Sequence, residues 1–156
     1  KYGLKTGLIE ATAKINKNQI PRIIKKMQDF YGSKLIEKKI AVLGLSFKPG
    51  TDDIRESPAI QFIKVLAPLV HQVIAYDPQA ISNTKNTLSI KNISYVKTKK
   101  AALINIDSIV IATEWKEFWN YDKEELSKIK DKVIFDTRNI LNKTELQKSG
   151  FKHIGL

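Results

Sequence analysis

IAVLGLSFKPGTDDIRESPA, residues 40–59, is the stretch that decides the fold of this 156-residue chain. It starts with a strand-length apolar run, passes through a long charged loop and enters a helical pattern. A loop between a strand and a helix often binds phosphate, because the first N–H groups of the helix point towards the anion. This loop lacks the G-x-G-x-x-G spacing of a dinucleotide-binding turn and is longer than such a turn. We therefore expect its side chains to contribute more to binding than its backbone.

The helix after this loop has clear periodicity. Four apolar side chains of residues 58–70 fall on one helical face, namely Ile60, Ile63, Leu66 and Leu69. Ser57 is predicted to be the N-cap of this helix and Pro58 its first residue, because proline fits the first helical turn.

Apolar runs of strand length recur outward from this unit. They lie at Ile40–Leu43, Val73–Tyr76, Ile93–Val96, Ile109–Ala112, Val133–Phe135 and Phe151–Ile154. Helical patterns separate most of them, including 122–130, where Asp122 is the expected cap, and 142–149; the polar stretch 79–92 predicts no clear element. This alternation predicts an α/β fold of three layers, with a mostly parallel sheet of about six strands covered on both faces by helices.

Residues 1–37 are predicted to form a helical segment ahead of an α/β domain at 38–156. Apolar residues recur at helical spacing from Leu4, most clearly at Ile20, Ile23, Ile24, Met27 and Tyr31. Pro21 is expected to kink this helix or to start a second one, and Gly32 to cap its end. We expect the segment to pack on another domain or on another copy of the chain.

The composition narrows the possible function classes. The net charge of +11 raises the possibility of nucleic-acid binding, but residues 1–40 carry ten basic and three acidic residues and 41–80 carry three basic and four acidic ones. Such scattered charge is typical of a solvated surface. No apolar run approaches the roughly 18 residues of a membrane span, and the chain has no cysteine, which is compatible with a cytoplasmic protein. His71 and His153 are isolated, so we predict no metal site.

Three loops are expected to meet at one edge of the sheet. Ligands of open parallel sheets bind at the carboxyl ends of the strands, and the loops 45–57, 113–115 and 136–139 follow predicted strands. Lys48, Arg55 and Arg138 in these loops are expected to converge on one crevice, where several cations suit a diphosphate.

Other residues of these loops have structural as well as functional interpretations. The acidic residues Asp52, Asp53 and Glu56 can neutralise Arg55 or favour the positive end of the following helix. Asp77 can bind a ribose hydroxyl, but we favour a role as the N-cap of a helix that begins at Pro78. Three aromatic residues can stack on a base, although core packing is expected for at least two of them: Trp115, Phe118 and Trp119.

Five motifs in a fixed order resemble a known family: GLSFKPGTDDIRESPA, VIAYDPQA, TEWKEF, FDTRNIL and GFKHIGL. Their order resembles the C-terminal nucleotide-sugar-binding domain of the UDP-glucose/GDP-mannose dehydrogenase family. The segment INKNQ, with Asn16 and Gln19, is similar to the end of the central dimerisation domain of that family. The resemblance covers the whole chain, whose start at KYGLKTGLIE is that expected of a piece of a longer protein.

The resemblance implies a Rossmann-like domain that binds the UDP part of a nucleotide sugar. Members of the family oxidise the sugar 6-hydroxyl to a carboxylate with two NAD, through a cysteine-linked intermediate. By the same resemblance, Phe47, Lys48 and Arg138 contact the UDP-sugar. Arg55 is implied to reach towards NAD held by an N-terminal domain.

The resemblance also implies limits and partners. The NAD-binding domain and the catalytic cysteine are expected outside these residues, so the chain alone is predicted not to oxidise its substrate. A homodimer through the N-terminal helix is expected in the full-length protein. The motifs favour UDP-glucose as substrate and UDP-glucuronate as product. UDP-N-acetylmannosamine and GDP-mannose remain alternatives, as do a non-catalytic nucleotide-binding module and, last, a nucleic-acid binder.

Overall fold

The computed structural model describes the backbone of residues 7–156 and the side chains of residues 19–156. Its centre is a six-stranded sheet in the order β3-β2-β1-β4-β5-β6, in which every neighbouring pair is parallel. The strands are β1 (Lys39–Leu43), β2 (Gln72–Tyr76), β3 (Ile93–Tyr95), β4 (Ser108–Ile111), β5 (Val133–Asp136) and β6 (Lys152–Gly155). All six predicted strands are therefore confirmed, with ends that differ by a residue or so.

Six α-helices and three short 3₁₀ segments connect and cover the sheet within the described residues. The helices are α1 (Gly7–Tyr31), α2 (Pro58–Leu66), α3 (Ile81–Thr87), α4 (Lys99–Ala102), α5 (Lys123–Ser127) and α6 (Lys143–Lys148). The 3₁₀ segments are Gly32–Glu37, Ala67–Leu69 and Lys116–Phe118. Helix α2 changes to 3₁₀ geometry before residue 70, where Pro68 has no N–H to continue the α-helical ladder.

Two hydrophobic cores lie on opposite faces of the sheet, which confirms the predicted three layers. Ile40 and Val42 of β1 belong to the core under α1 and α2, whereas Ala41 and Leu43 belong to the core under α4, α5 and α6. This alternation follows from the strand, whose successive side chains point to opposite faces. Because both faces are covered, the strands have the continuous apolar sequences by which they were predicted.

Helix α1 is continuous through Pro21, so of the two expected outcomes the start of a second helix there is wrong. Packing of its last three turns offsets the backbone hydrogen bond that Pro21 cannot make. The buried residues of these turns are Ile23, Ile24, Met27 and Tyr31, and Phe30 contacts Phe135 of β5 edge-to-face at 6.1 Å. The helix therefore packs on the α/β domain that follows it. Gly32 then takes a left-handed φ of 56°, as expected after a helix end, whereas Leu4 lies outside the described residues.

One helix was not expected from the sequence, one begins later than expected, and one is shorter than expected. Helix α3 begins at Ile81 instead of Pro78, within the polar stretch 79–92, and α4 has a single turn in which the Thr98 hydroxyl accepts the N–H of Ala101. Helix α5 ends at Ser127, although Asp122 and Glu125 form the predicted N-terminal cap as a reciprocal capping box. Polar or very short helices bury too few apolar side chains to produce a periodic pattern.

The packing of α1 predicts that Ile24→Ala lowers the free energy of unfolding by about 2–5 kcal/mol, because it leaves a cavity between the helix and the sheet. Chemical denaturation of the purified chain measures this change. Ile36→Ala is the matched control, since Ile36 is 55% exposed and its truncation is expected to change stability little. Equal stability of the two variants would show that α1 does not pack on the sheet in solution.

Candidate functional site

A cleft of about 440 Å³ opens at the carboxyl ends of the central strands. β1 lies between β2 and β4, so the connections that leave β1 and β4 run to opposite sides and leave a crevice between them. Apolar side chains of α1 and α2 form one part of its wall: Ile20, Ile23, Ala59 and Phe62. The loops after β1, β4 and β5 contribute Phe47, Lys48, Glu114 and Arg138. Three of the predicted substrate-binding residues thus line the same cleft.

The loop after β1 is closed by internal hydrogen bonds. The N–H of Phe47 donates to the carbonyl of Asp53 at 2.8 Å, which folds the loop back on itself. Ser57 occupies the N-cap position of α2 as predicted, but its side chain makes no capping bond. Its buried hydroxyl donates instead to the carbonyl of Leu45 at 2.7 Å, so it holds the two ends of the loop together.

Asp77, which directly follows β2, anchors this loop through hydrogen bonds to Leu45 and Ser46. The prediction that it caps a helix starting at Pro78 is wrong, since α3 begins at Ile81 with Ala80 in the N-cap position. One carboxylate oxygen accepts the N–H groups of Gln79 and Ala80, which form a turn. The other accepts four donors: the N–H of Leu45, the N–H and hydroxyl of Ser46, and the indole N–H of Trp115.

These six hydrogen bonds also argue against the alternative role of Asp77, which was to bind a ribose hydroxyl. Its side chain is about 1% exposed and both oxygens are already occupied by donors of the chain itself. In dinucleotide-binding folds the acid in this position binds a ribose hydroxyl. Here it has no exposed oxygen for a ribose, so this crevice does not fit NAD in the dinucleotide-binding manner.

The loop after β4 lies directly against the loop after β1. Gly44 adopts a φ of 96°, and a Cβ atom in its place would lie 2.5 Å from the Cβ of Thr113. The hydroxyl of Thr113 donates to the carbonyl of Ser46 at 2.9 Å, which fixes the two loops together. Trp115 and Phe118 pack in the core as predicted for at least two of the three aromatic residues, and Trp119 is 46% exposed.

A second buried aspartate shapes the loop that carries Arg138. Asp136, at the end of β5, accepts the N–H of Arg138 at 3.1 Å and the N–H of Leu141 at 2.9 Å. His153, to which the sequence assigned no role, lies 3.2 Å from the same carboxylate. Only the pairing of β5 with β6 brings these two residues together, so no local motif predicted the contact.

Arg138 and Glu114 form an ion pair in the wall of the cleft. The Nε of Arg138 donates to Glu114 Oε2 at 2.5 Å, whereas its terminal Nη atoms donate to no other described residue. Burial, the largest single cause, would raise the pKa of Glu114, but the hydrogen bond and the charge of Arg138, together with a backbone hydrogen bond, lower that pKa below its ordinary value. Lys48 has no ion-pair partner among the described side chains. Two cations with unused donors thus face the cleft, as anion binding requires.

Arg55 does not converge with Lys48 and Arg138 as predicted. It lies outside the cleft, where its 88% exposed side chain forms a bidentate pair with Asp53 at 3.0 Å and 2.8 Å. The adjacent residues of the loop and α3 form a separate shallow depression, to which Asp52 and Asn83 contribute. The sequence had left open that an acidic neighbour neutralises Arg55, and Asp53 does so.

Metal clusters and membrane-spanning helices are both absent from the part of the chain that the structure describes. No group of three or more His, Cys, Asp or Glu side chains there is arranged to hold a metal ion. None of the helices in the same residues combines the length and apolar character that crossing a bilayer requires.

Comparison with known sequences identifies the family. Residues 41–143 match the sequence model described as "UDP-glucose/GDP-mannose dehydrogenase family, UDP binding domain". The chain belongs to this family. Curated relatives named UDP-glucose 6-dehydrogenase include one from Rickettsia conorii, 38% identical over 94% of the chain, and one from Rhizobium meliloti, 36% identical over 96%. The chain spans about a third of the length of these relatives, 34% of each.

Solved structures agree with the family and the fold. A UDP-glucose dehydrogenase from Pyrobaculum islandicum matches 88% of the chain with a TM-score of 0.75 at 28% identity, over 30% of its own length. A UDP-D-ManNAc dehydrogenase from Pyrococcus horikoshii matches 99% of the chain with a TM-score of 0.76 at 28% identity, over 34% of its length. The predicted Rossmann-like α/β fold is therefore confirmed.

The bonds of Asp77 predict that Asp77→Asn lowers the free energy of unfolding by more than about 2 kcal/mol. An asparagine offers one accepting oxygen, so buried donors lose their partner, at about 1–3 kcal/mol each. Asp52→Asn is the control, because Asp52 is exposed and accepts a side-chain bond only from Asn83 among the described residues. Denaturant unfolding curves measure both variants. A loss no larger than that of Asp52→Asn would contradict the anchoring role of Asp77.

The pair of Asp53 and Arg55 predicts an acid titration. The hydrogen bonds from the Arg55 side chain, and then from its backbone N–H, lower the pKa of Asp53 from 3.8 to about 2. Because the folded-state pKa is depressed, the contribution of this pair to stability is present above pH 3.8 and is lost as the pH falls through about 2. Carboxyl-detected NMR titration measures the midpoint.

Arg55→Ala is expected to return the Asp53 midpoint towards its ordinary value. Lys48→Ala is the control and should move it less, because the charge of Lys48 is the smallest of the causes acting on Asp53. A wild-type midpoint near 3.8 would show that Arg55 does not hold Asp53 in solution.

Proposed function

We propose that this chain is the UDP-sugar-binding part of an NAD-dependent UDP-glucose 6-dehydrogenase, which oxidises UDP-glucose to UDP-glucuronate. One observation carries the proposal: Lys48 and Arg138, from loops far apart in the sequence, line one cleft at the carboxyl edge of the sheet. The names of the curated relatives support the activity. Because those relatives are about three times as long, the activity belongs to the longer enzyme.

The chemistry of the cleft suits a nucleoside diphosphate. Charge-assisted hydrogen bonds from Lys48 and from the Nη atoms of Arg138 match the oxygens of a diphosphate. Pro58 and Ala59, at the start of α2, also line the cleft, so the positive end of the helix dipole faces the same space. Phe47 is 52% exposed in the wall and offers an apolar face to the base or the sugar.

Oxidation requires groups that these residues do not contribute. The cysteine-linked intermediate implied by the resemblance needs a thiol, and the sequence has no cysteine. We therefore propose that the chain alone does not oxidise UDP-glucose. Arg55, which points away from the cleft, is proposed to contact NAD held by another domain of the enzyme.

The N-terminal segment is proposed to belong to the dimerisation region of the enzyme. Residues 1–37 match the end of the central domain in the resemblance, and the α/β domain is assigned to 38–156. A homodimer through this helix remains a proposal, because the side chains before residue 19, including Asn16, lie outside the described residues.

A second substrate has specific support. The structure of the UDP-D-ManNAc dehydrogenase from Pyrococcus horikoshii matches almost the whole chain, with a TM-score of 0.76. The diphosphate is common to both substrates, so the cations of the cleft suit either one. UDP-N-acetylmannosamine is therefore the second candidate.

Calorimetric titration of the purified chain with UDP tests the proposed site. Lys48→Ala and Arg138→Ala are each expected to weaken UDP binding about tenfold or more, because each removes a charge-assisted hydrogen bond worth about 1.5–3 kcal/mol. Lys64→Ala is the matched control, since Lys64 is exposed on α2 away from the cleft. ADP, which carries the same diphosphate and a different base, should bind more weakly than UDP.

Three outcomes would contradict the proposed site. They are no saturable binding by the wild-type chain, equal affinity for UDP and ADP, and an equal loss in the Lys64→Ala control. The nucleic-acid alternative predicts a different pattern, in which affinity falls steeply with salt and shows no preference for UDP.

A further inference from the structure

Gln19 is a residue of the cleft whose amide oxygen has no partner. It lies on α1 and lines the same space as Lys48, Glu114 and Arg138. Its Oε1 atom is buried, and no donor among the described residues bonds to it. Buried polar atoms of folded proteins are almost always hydrogen-bonded, and one without a partner carries a desolvation cost.

The other polar side chains in the cleft wall are donors only, carry a negative charge or already make a hydrogen bond within the fold. The Thr137 hydroxyl donates to the carbonyl of Ile111 at 2.7 Å, and Glu114 accepts from Arg138. Lys48 and Arg138 have no acceptor atom. Gln19 thus supplies an uncharged acceptor in this wall that is not already bonded within the described residues.

Gln19 Oε1 differs in location from the other buried atoms of the described residues that have no hydrogen-bond partner. The structure has other such atoms within the described residues, on Tyr31, Tyr95, Ser108, Tyr121 and Asp131. None of these lines the cleft. Asp131 is moreover paired within the fold, because its Oδ2 atom lies 2.8 Å from the Nζ of Lys38.

We propose that Gln19 Oε1 accepts a hydrogen bond from a neutral donor of the bound nucleotide sugar. This inference rests on the proposed function. A neutral acceptor suits a site beside a diphosphate, because a carboxylate in its place would repel the phosphates. The donors that such a ligand offers are the imide N–H of uracil and the hydroxyl groups of its ribose and sugar.

The inference gives α1 a second role. The helix packs on the sheet through residues that follow Gln19, such as Ile23 and Met27, and this packing fixes the position of the amide at the cleft. Ile20 and Ile23 extend the apolar wall beside it. The helical segment therefore takes part in ligand recognition as well as in packing.

Gln19→Met tests the inference, because methionine keeps the length of the side chain and removes the acceptor. We expect its affinity for UDP-glucose, measured by calorimetry, to fall about fivefold or more, the value of one lost hydrogen bond. The melting temperature of the unliganded variant should be unchanged or higher, since an unpaired buried oxygen is removed. Gln28→Met is the control on the same helix, where Gln28 is exposed, and should change neither quantity.

The two ligands locate the donor. An equal loss of affinity for UDP and UDP-glucose would support a donor on the base or the ribose, and a loss for UDP-glucose alone would support a sugar hydroxyl. Wild-type affinity of Gln19→Met for both ligands would overturn the inference while leaving the proposed function intact. A fall in the melting temperature with the fall in affinity would also overturn it, in favour of a packing role. Failure of the wild-type chain to bind either ligand would overturn the proposed function and this inference together.

Discussion

The buried carboxylate of Asp77 is the interaction on which the cleft depends. It joins the ends of three strands, because it accepts donors from the loop after β1, from the turn after β2 and from Trp115 after β4. A polar side chain that is about 1% exposed needs hydrogen-bond partners in place of the water that it loses, and six donors of the chain supply them here. The positions of Phe47 and Lys48 follow directly, since Ser46 is fixed by this carboxylate.

Asp136 repeats the arrangement two strands away from β1. It too lies at the end of a strand, is fully buried and accepts backbone N–H groups of the loop that follows, which carries Arg138. The two cations of the cleft are thus placed by two aspartates that do not touch the cleft themselves. In each loop, a buried aspartate anchors the backbone and a cation faces the cleft, so anchoring and binding are done by different side chains. Such an arrangement keeps the two anchoring aspartates away from a diphosphate, which they would repel.

The sequence predicted the sheet and most of the cleft for physical reasons that also explain its failures. Strands buried on both faces have continuous apolar runs, so all six were found, and strand order placed Lys48 and Arg138 at one edge. Arg55 was misplaced because the orientation of its side chain depends on the ion pair with Asp53, which the periodicity of the sequence does not indicate. The contacts of Asp77 with Leu45, Ser46 and Trp115 and that of His153 with Asp136 join residues distant in sequence, and these depend on the packed sheet. The start of helix α3 was misplaced because its polar sequence has no apolar periodicity, and no second helix starts at Pro21 because tertiary packing outweighs propensity.

The packing of α1 extends the folded unit beyond the segment that the family model matches. The family match begins at residue 41, and the sequence pattern changes at 38, yet the hydrophobic core continues upstream through Leu35 to Ile23. A protein cut at residue 38 would keep every strand of the sheet and every family motif. It would nevertheless expose the apolar face that α1 covers, and such exposed faces promote aggregation. The segment that the family model matches is thus shorter than the unit that buries this core, and expression of the α/β domain must begin upstream of Ile23 to include all of it.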